Sequence, residues 1–316
     1  MMKTSIEAVS FRDLEQDCEF RFKKESPFWH LYTDGHKADI IFSDKEDFKS
    51  GMNMLGICCL RSPEVKVYTF VLMNNHLHMI FSGDSIKGIE LFDMFKLMLQ
   101  RHFIRSGKVV NLKDFKCQLI QIDSLQSLRN EIVYANRNGF IVRPDCTPFS
   151  YPWGAGASFF NPFSKLLPSV PYDSLKVKEK REICRSNNIH LPSAKAMVYD
   201  GVILPASFCH ISEAESFYRS AHQYFHHISR KFEAYSEIAE RLHESVFISD
   251  EEMYAAVCAL CVKIYNMKNP TQLGVKERIE MARHMHQKYN ASNRQIRNIL
   301  KLDNSIVETM FPQPGH

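Results

Sequence analysis

The chain has 316 residues, of which 45% are hydrophobic and 24% charged, and its formal net charge is +4. This length allows two or three domains, and the composition is ordinary for a globular protein. A net charge this small excludes nucleic-acid binding through the overall charge of the protein. Any nucleic-acid site must therefore be a local basic patch. The nine cysteines are odd in number and scattered. With no signal-peptide pattern and no apolar stretch near the ~20 residues of a membrane span, we expect a soluble cytoplasmic protein with reduced thiols.

The first half of the chain alternates strand-like and helical segments. In chain order these are a strand at 28–33, a helix from Ser43 or Asp44 to about residue 60, strands at 66–73 and 77–81, a helix at 85–106 capped by Gly107, a strand at 118–122, and a helix at 124–138 ended by Gly139. Asn74 and Asn75 lie between the two middle strands and suit a turn. This order predicts an α+β fold with an antiparallel sheet and flanking helices.

The second half changes character. Residues 144–173 hold six prolines and two glycines among aromatic residues, which predicts an irregular connector. Residues 174–267 are predicted to be mainly helical. Three short helices at 276–289, 293–300 and 304–311, the second capped by Ser292, fit a helix-turn-helix. The predicted domains are therefore an α+β domain at 1–155, a connector and helical region at 156–273, and a helix-turn-helix module at 274–316.

His76-Leu77-His78 places two histidines one residue apart in a strand-like stretch. Residues i and i+2 of a strand share a face, so both imidazoles aim at one point, and neutral imidazoles suit a divalent metal. Two histidines are too few for a structural zinc site, which leaves either an open metal site or two histidines on the polar face of a half-buried strand. His284-Met285-His286 lies in a helical segment, where i and i+2 are about 200° apart and cannot share an ion.

Tyr134 and Asn138 are spaced i, i+4, which puts them on one face of the predicted helix. Tyrosine is a covalent nucleophile in some enzymes, and a neighbouring divalent ion would polarise a phosphodiester. The alternative is a core aromatic residue with an asparagine that caps the helix end. The 12 glycines form no Walker or dinucleotide motif, so we expect no nucleotide cofactor.

Three motifs in order resemble the single-tyrosine HUH transposases, and more closely the REP-associated tyrosine transposases of the insertion-sequence-200-like family. That group has Met-Pro-Asn-His-hydrophobic-His, then a helix with Tyr-x-x-x-Asn, then a Tyr-Pro-Trp-Ser-Ser-like stretch. The corresponding segments here are Met73 to His78, Tyr134 to Asn138, and Tyr151-Pro152-Trp153-Gly154, and the resemblance covers about residues 28–155. The departures are Asn74 for proline, Gly139 for the proline after the asparagine, and Gly154-Ala155 for the serines.

The resemblance implies a ferredoxin-like HUH domain that cleaves and rejoins single-stranded DNA at hairpins or palindromic repeats, as in DNA transposition and recombination. Tyr134 would attack a phosphate to leave a 5′-phosphotyrosine, and His76, His78 and Asn138 would ligate Mg²⁺ or Mn²⁺. His30 falls on the neighbouring strand, where the family often carries histidine, and would support the metal ligands. The alternative is a domesticated, non-catalytic regulator that binds DNA through its C-terminal module. A monomer, and a homodimer with the tyrosine helix acting in trans, both stay open.

Basic and polar side chains at three places are the candidate DNA contacts. They are Arg101 and Arg105 with Lys108 on one face of the 85–106 helix, Arg137 and Arg143 beside the tyrosine, and Arg294, Arg297, Asn298, Lys301 and Asn304 in the C-terminal module. Such side chains neutralise phosphates. Charge stripes also occur as solvated faces, and short three-helix units also serve protein contacts.

Overall fold

A computed structural model describes residues 11–35, 38–141, 149–192, 196–230, 250–289 and 291–312. The chain forms two compact units, Met1–Arg230 and Lys231–His316. Within the described ranges, no helix combines the length and the apolar character needed to cross a membrane.

The first unit carries seven strands and seven helices in its described part. They are α1 (Phe11–Glu25), β1 (Phe28–Thr33), α2 (Lys45–Arg61), β2 (Lys66–Leu72), β3 (Leu77–Ser82), α3 (Ser85–Ser106), β4 (Cys117–Ile122), α4 (Leu125–Ile141), β5 (Val170–Pro171), α5 (Val177–Cys184), β6 (Met197–Tyr199), β7 (Val202–Ile203), α6 (Ile211–Glu215) and α7 (Ala221–Arg230). Single 3₁₀ turns lie at Gly156–Ser158, Pro162–Leu166, Tyr172–Ser174 and Pro205–Ser207.

The main sheet has four strands in the order β2-β3-β1-β4, and every neighbouring pair is antiparallel. This is the strand order of two interleaved β-α-β units. The predicted α+β fold with an antiparallel sheet and flanking helices is therefore confirmed. The strands were predictable because their apolar runs are short and bounded by turn residues.

The two faces of the sheet carry different helices. Phe81 of β3 packs under Gly88 of α3, where an added β-carbon would lie 2.1 Å from the ring. On the opposite face, the Thr69 hydroxyl of β2 donates a hydrogen bond to the Asn136 side chain of α4. Because strand residues alternate between faces, His78 lies on the α4 side of the sheet.

Helix ends follow the capping rules. The Asp44 carboxylate accepts a hydrogen bond from the Asp47 amide at 2.9 Å and so begins α2. Gly107 ends α3 in the left-handed conformation with φ 69°, as predicted. The prediction that Gly139 ends α4 is wrong, because the helix runs on to Ile141. Gly139 instead makes room for Tyr151, whose ring would lie 2.3 Å from an added β-carbon.

Two parts of this unit were not predicted from the sequence. Helix α1 packs Phe22 against Phe28 of β1, with the ring centroids 5.1 Å apart. Strands β5, β6 and β7 form a small antiparallel sheet, with β5 in the predicted irregular connector and β6 and β7 in the region predicted to be mainly helical. These strands are only two or three residues long, too short to show an alternating pattern.

The second unit has four described helices. They are α8 (Asp250–Tyr265), α9 (Val275–Tyr289), α10 (Asn293–Leu300) and α11 (Asn304–Met310), with a 3₁₀ turn at Pro270–Gln272. Their core includes Met253, Cys261, Met285, Ile296 and Val307. The last three helices match the prediction, and the Ser292 hydroxyl caps α10. In α9 the His284 ring meets Tyr289 while the His286 ring stacks on Phe311, so the two imidazoles have separate surroundings, as expected.

Candidate active site

Two histidines on neighbouring strands form the centre of the site. His30 of β1 and His78 of β3 are both 0% exposed, and His30 Nε2 lies 3.0 Å from His78 Nδ1. His30 Nδ1 lies 2.8 Å from Oε2 of Glu131 on α4. Three buried polar side chains from three elements therefore form one continuous hydrogen-bonded chain.

The order of donors along this chain follows from the carboxylate. An ionised carboxylate only accepts hydrogen bonds, so His30 Nδ1 carries the proton that it shares with Glu131. In the neutral form of His30, Nε2 accepts from the Nδ1–H of His78. This leaves His78 with a lone pair on Nε2. The Glu131–His30 pair thus selects the tautomer of His78 that is able to bind a metal ion.

Helix α4 brings the predicted nucleophile to His78. The Tyr134 ring packs edge-on against the His78 ring, with the centroids 5.4 Å apart, and Tyr134 is 3% exposed. One turn later, the half-buried Asn138 places Nδ2 3.4 Å from His78 Nε2. The structure therefore brings His78 together with Tyr134 and Asn138, although more than fifty residues of sequence separate His78 from either of them.

His76 lies in the turn just before β3, rather than within the strand. Its ring centroid is 5.1 Å from that of His78, and its Nδ1 lies 2.8 Å from Asn75 Oδ1. Asn75 Nδ2 donates to the Gly35 carbonyl at 2.6 Å, which ties the turn to the loop after β1. A β-carbon at Gly35 would lie 2.8 Å from His76 Nδ1, so this glycine permits the close approach.

The residues present fit a divalent ion with open positions. Among the described residues, no group of three or more His, Cys, Asp or Glu side chains is arranged to hold a metal. The candidate set instead combines two imidazoles with the Asn138 amide. Asn138 Nδ2 lies 3.4 Å from His78 Nε2, and rotation of this amide would present its oxygen, a ligand type that suits Mg²⁺ and Mn²⁺.

Residues 151–155, which follow α4, form hydrogen bonds with β2, the strand that leads to the histidines. Leu72 of β2 donates its amide to the Trp153 carbonyl at 2.8 Å, and the Ala155 amide donates to the Phe70 carbonyl at 3.0 Å. The Tyr151 hydroxyl donates to the Leu72 carbonyl at 2.8 Å. Residues 151–155 therefore pair with the free edge of β2. The Tyr-Pro-Trp motif is a structural support for the site.

The predicted DNA contacts on the first unit lie in different surroundings. Arg101 and Arg105 are exposed on α3, whereas Lys108 pairs with Asp44 and Asp47 at 2.8 and 2.7 Å. Arg137 is 3% exposed, so a phosphate reaches it only if neighbouring side chains move. Arg143 lies outside the described residues. DNA contact by these side chains stays a prediction.

The predicted contacts in the second unit are exposed on consecutive helices. Arg294, Arg297 and Asn298 lie on α10, and Asn304 begins α11. Arg297 Nη1 donates to Asn304 Oδ1 at 2.8 Å, and Asn304 Nδ2 donates to Glu308 Oε1 at 2.6 Å. The polar face at the start of α11 is therefore internally hydrogen-bonded.

Glu131 is the site residue that the sequence analysis missed. It precedes Tyr134 by three residues and so shares its helical face. That spacing was the available signal, but the sequence alone does not show that a histidine from β1 faces it.

Comparisons with known proteins add one similarity. No family model matches the chain, and no curated protein matches it. A solved structure of a REP-associated tyrosine transposase bound to a REP hairpin is similar at a TM-score of 0.29 and 13% sequence identity, over 42% of this chain and 77% of that one. A TM-score and an identity this low do not establish a common fold.

Proposed function

We propose that the protein is a DNA strand-cleaving and rejoining enzyme of the single-tyrosine HUH kind, with an N-terminal ferredoxin-like catalytic domain. The observation that carries this proposal is the meeting of Tyr134, His78 and Asn138 on one side of the sheet, within one chain. Burying the Tyr134 phenol beside the imidazoles of His30 and His78 and the Asn138 amide costs free energy of desolvation. The same groups are suited to chemistry on a phosphate.

The proposed reaction is a transesterification. The Tyr134 Oη attacks the phosphorus of a single-stranded DNA phosphodiester, and the P–O3′ bond breaks with its electron pair going to O3′. The phenol proton is released and O3′ gains one, so the strand ends as a free 3′-hydroxyl and a 5′-phosphotyrosine. One phosphoester replaces another, so the reverse attack by a 3′-hydroxyl rejoins DNA without ATP.

The remaining residues position these groups. Glu131 and His30 hold the His78 ring in one orientation and one tautomer. Asn75 holds His76 beside it. His76, His78 and Asn138 would hold a Mg²⁺ or Mn²⁺ ion, which supplies electrostatic stabilisation of the phosphate. Because Tyr134 is buried, substrate binding must also uncover its hydroxyl.

The proposal is tested by incubating the full chain with hairpin-bearing single-stranded DNA and Mn²⁺. A 3′-labelled strand becomes covalently attached to the protein, while a 5′-labelled strand is released as a shorter fragment. Tyr134→Phe removes the adduct. Tyr199→Phe, at an exposed position on β6, serves as the matched control and retains it. An adduct that persists in Tyr134→Phe would contradict the assignment.

A non-catalytic DNA-binding regulator is the second candidate function. It is favoured by the exposed Arg294, Arg297, Asn298 and Asn304 on consecutive short helices. Tight binding of duplex DNA that Arg297→Ala weakens, with no adduct on any hairpin substrate, would support this candidate over the enzyme. Phosphate contacts of this kind make the affinity fall as salt rises.

A further inference from the structure

A small cavity on the α2–α3 side of the first unit is lined by four arginines. It has a volume of about 270 Å³, and the arginines are Arg61, Arg101, Arg105 and Arg185. His102 and Asn188 also face it. The described residues that line the cavity include no aspartate or glutamate.

The arginines come from the ends of three helices and are partly held by backbone carbonyls. Arg105 Nη1 donates to the Arg185 carbonyl at 2.6 Å, and Arg61 Nη2 donates to the His190 carbonyl at 3.4 Å. A guanidinium has five N–H donors, and each of these bonds uses one. Donors on several guanidinium groups therefore remain for a ligand in the cavity.

Positive charge in this cavity is weakly compensated. The ion-pair partner of Arg185 is Glu46, at 3.8 Å and itself 68% exposed. The Arg185 Nε atom is buried and has no hydrogen-bond partner in the part of the chain that the structure describes. Burial, followed by the charge of Arg185, lowers the pKa of His102.

Helix C-termini alone do not explain this cluster. The negative end of a helix dipole favours one basic residue in its last turn. That accounts for single arginines at the ends of α2, α3 and α5, but not for a buried unpartnered Nε or for four guanidinium groups around one cavity.

We propose that the arginine cavity binds a phosphate group. Arginine binds phosphate oxygens in a bidentate manner. The volume falls below the roughly 300–1,000 Å³ of pockets for larger ligands, which suits one or two phosphates. Its helices cover the face of the sheet opposite α4, so the site is separate from Tyr134 and does not depend on strand cleavage. The phosphate belongs either to a nucleic-acid strand or to a small free phosphate compound.

Calorimetry on the full chain tests the proposal, with inorganic pyrophosphate and single-stranded oligothymidylate as the two probes. Arg101→Met and Arg105→Met each remove one cavity guanidinium, and we expect each to weaken binding about tenfold or more. Arg181→Met is the matched control, since it removes an exposed charge from α5 outside the cavity and leaves binding unchanged. Pyrophosphate also raises the pKa of His102, because an added anion favours the imidazolium, and NMR follows this titration.

The two probes separate the sources of the phosphate. If Arg101→Met weakens oligothymidylate binding and pyrophosphate competes with that strand, the cavity holds a nucleic-acid phosphate. If only pyrophosphate binding is lost, the ligand is a small phosphate compound. Unchanged binding of both probes in both cavity variants, with no shift of the His102 titration, would overturn the proposal.

Discussion

At the scale of single residues, the site depends on a buried carboxylate that does not touch the substrate phosphate in our proposal. Glu131 is 2% exposed and bonds to His30, which bonds to His78. A buried polar group is costly unless it is hydrogen-bonded, so each member of this chain stabilises the other two. Glu131 is therefore a positioning residue for His78.

Glu131→Gln tests this role. A neutral amide is a weaker acceptor and is also able to donate, so it no longer selects one tautomer of His30 and His78. We expect DNA cleavage to fall about 10- to 100-fold, as for other residues that orient metal-binding histidines. The ¹⁵N shifts of His78 report the loss of the Nδ1–H tautomer. Glu182→Gln on exposed α5 is the control, and an unchanged rate in Glu131→Gln would refute the role.

At the scale of elements, the 151–155 stretch closes the edge of β2 through a glycine. A β-carbon at Gly154 would lie 2.7 Å from the Phe70 carbonyl oxygen. Backbone atoms of a paired strand do not move away easily. The Tyr-Pro-Trp-Ser-Ser-like stretch given above has serine at the position of Gly154. The β-carbon of a serine does not fit this close approach of the two backbones.

We therefore expect Gly154→Ala to destabilise the first unit by about 1–3 kcal/mol, the usual cost of overpacking. Chemical denaturation followed by tryptophan fluorescence measures it, since Trp153 lies in the affected stretch. Gly274→Ala is the control, because its nearest atom would be a side-chain oxygen at 3.5 Å. Equal stability of the two variants would show that the edge pairing contributes little.

Helix α4 is also held in place by a buried arginine. Arg129 is 2% exposed, and it donates to both oxygens of Glu15 at 2.6 and 3.1 Å and to the Phe217 carbonyl at 2.6 Å. The hydrogen bond from Arg129 lowers the pKa of Glu15 below its usual 4.5. This contact fixes the helix that carries Tyr134 to α1.

The lowered pKa of Glu15 predicts a loss of stability in acid. A carboxylate whose pKa is lower in the folded state stabilises fully above its unfolded pKa, and that contribution disappears as the pH falls through the folded pKa. Glu15→Gln should lower the free energy of unfolding at pH 7 by about 1–3 kcal/mol. The free energy of unfolding of this variant should also decline less steeply as the pH falls below 4.5, the usual pKa of the carboxyl. Urea denaturation at several pH values measures both effects, and parallel curves for variant and wild type would contradict the assignment.

At the scale of the whole molecule, one chain supplies every group of the proposed site. His30, His78 and Glu131 share hydrogen bonds, and the rings of Tyr134 and His78 are in contact. A second subunit is therefore not needed to bring the tyrosine to the histidines. We propose that the tyrosine acts in cis.

Mixing two inactive variants tests this proposal. His78→Gln and Tyr134→Phe each lack one essential group, and in a cis enzyme no mixture of them contains a complete site. We expect no covalent adduct from the mixture, while each variant mixed with wild type still yields the wild-type adduct. Thermal melting confirms that both variants fold. Recovery of the adduct in the mixture would show that two chains share the site.

Much of the fold and part of the site follow from local patterns in the sequence. Strands β1 to β4, helices α2 and α3 and the three C-terminal helices were predictable because their apolar periodicity and capping residues act within a few positions. The i, i+4 spacing of Tyr134 and Asn138 likewise holds once α4 forms. The extension of α4 past Gly139 and the edge pairing of Gly154 were not predictable, since both depend on backbone contacts between distant segments.

The sequence by itself determined the class of fold, because short apolar runs and turn residues specify it, and the resemblance of three motifs to a known family selected Tyr134 and the histidine pair as candidates. Only the tertiary structure decided that His30 and Glu131 join His78 in one buried chain, that Tyr134 meets His78 within the same molecule, and that four arginines surround one cavity. The physical reason is the register of the sheet. Pairing β1 with β3 brings His30 beside His78, and a shift of one residue would turn one of these two histidines to the opposite face.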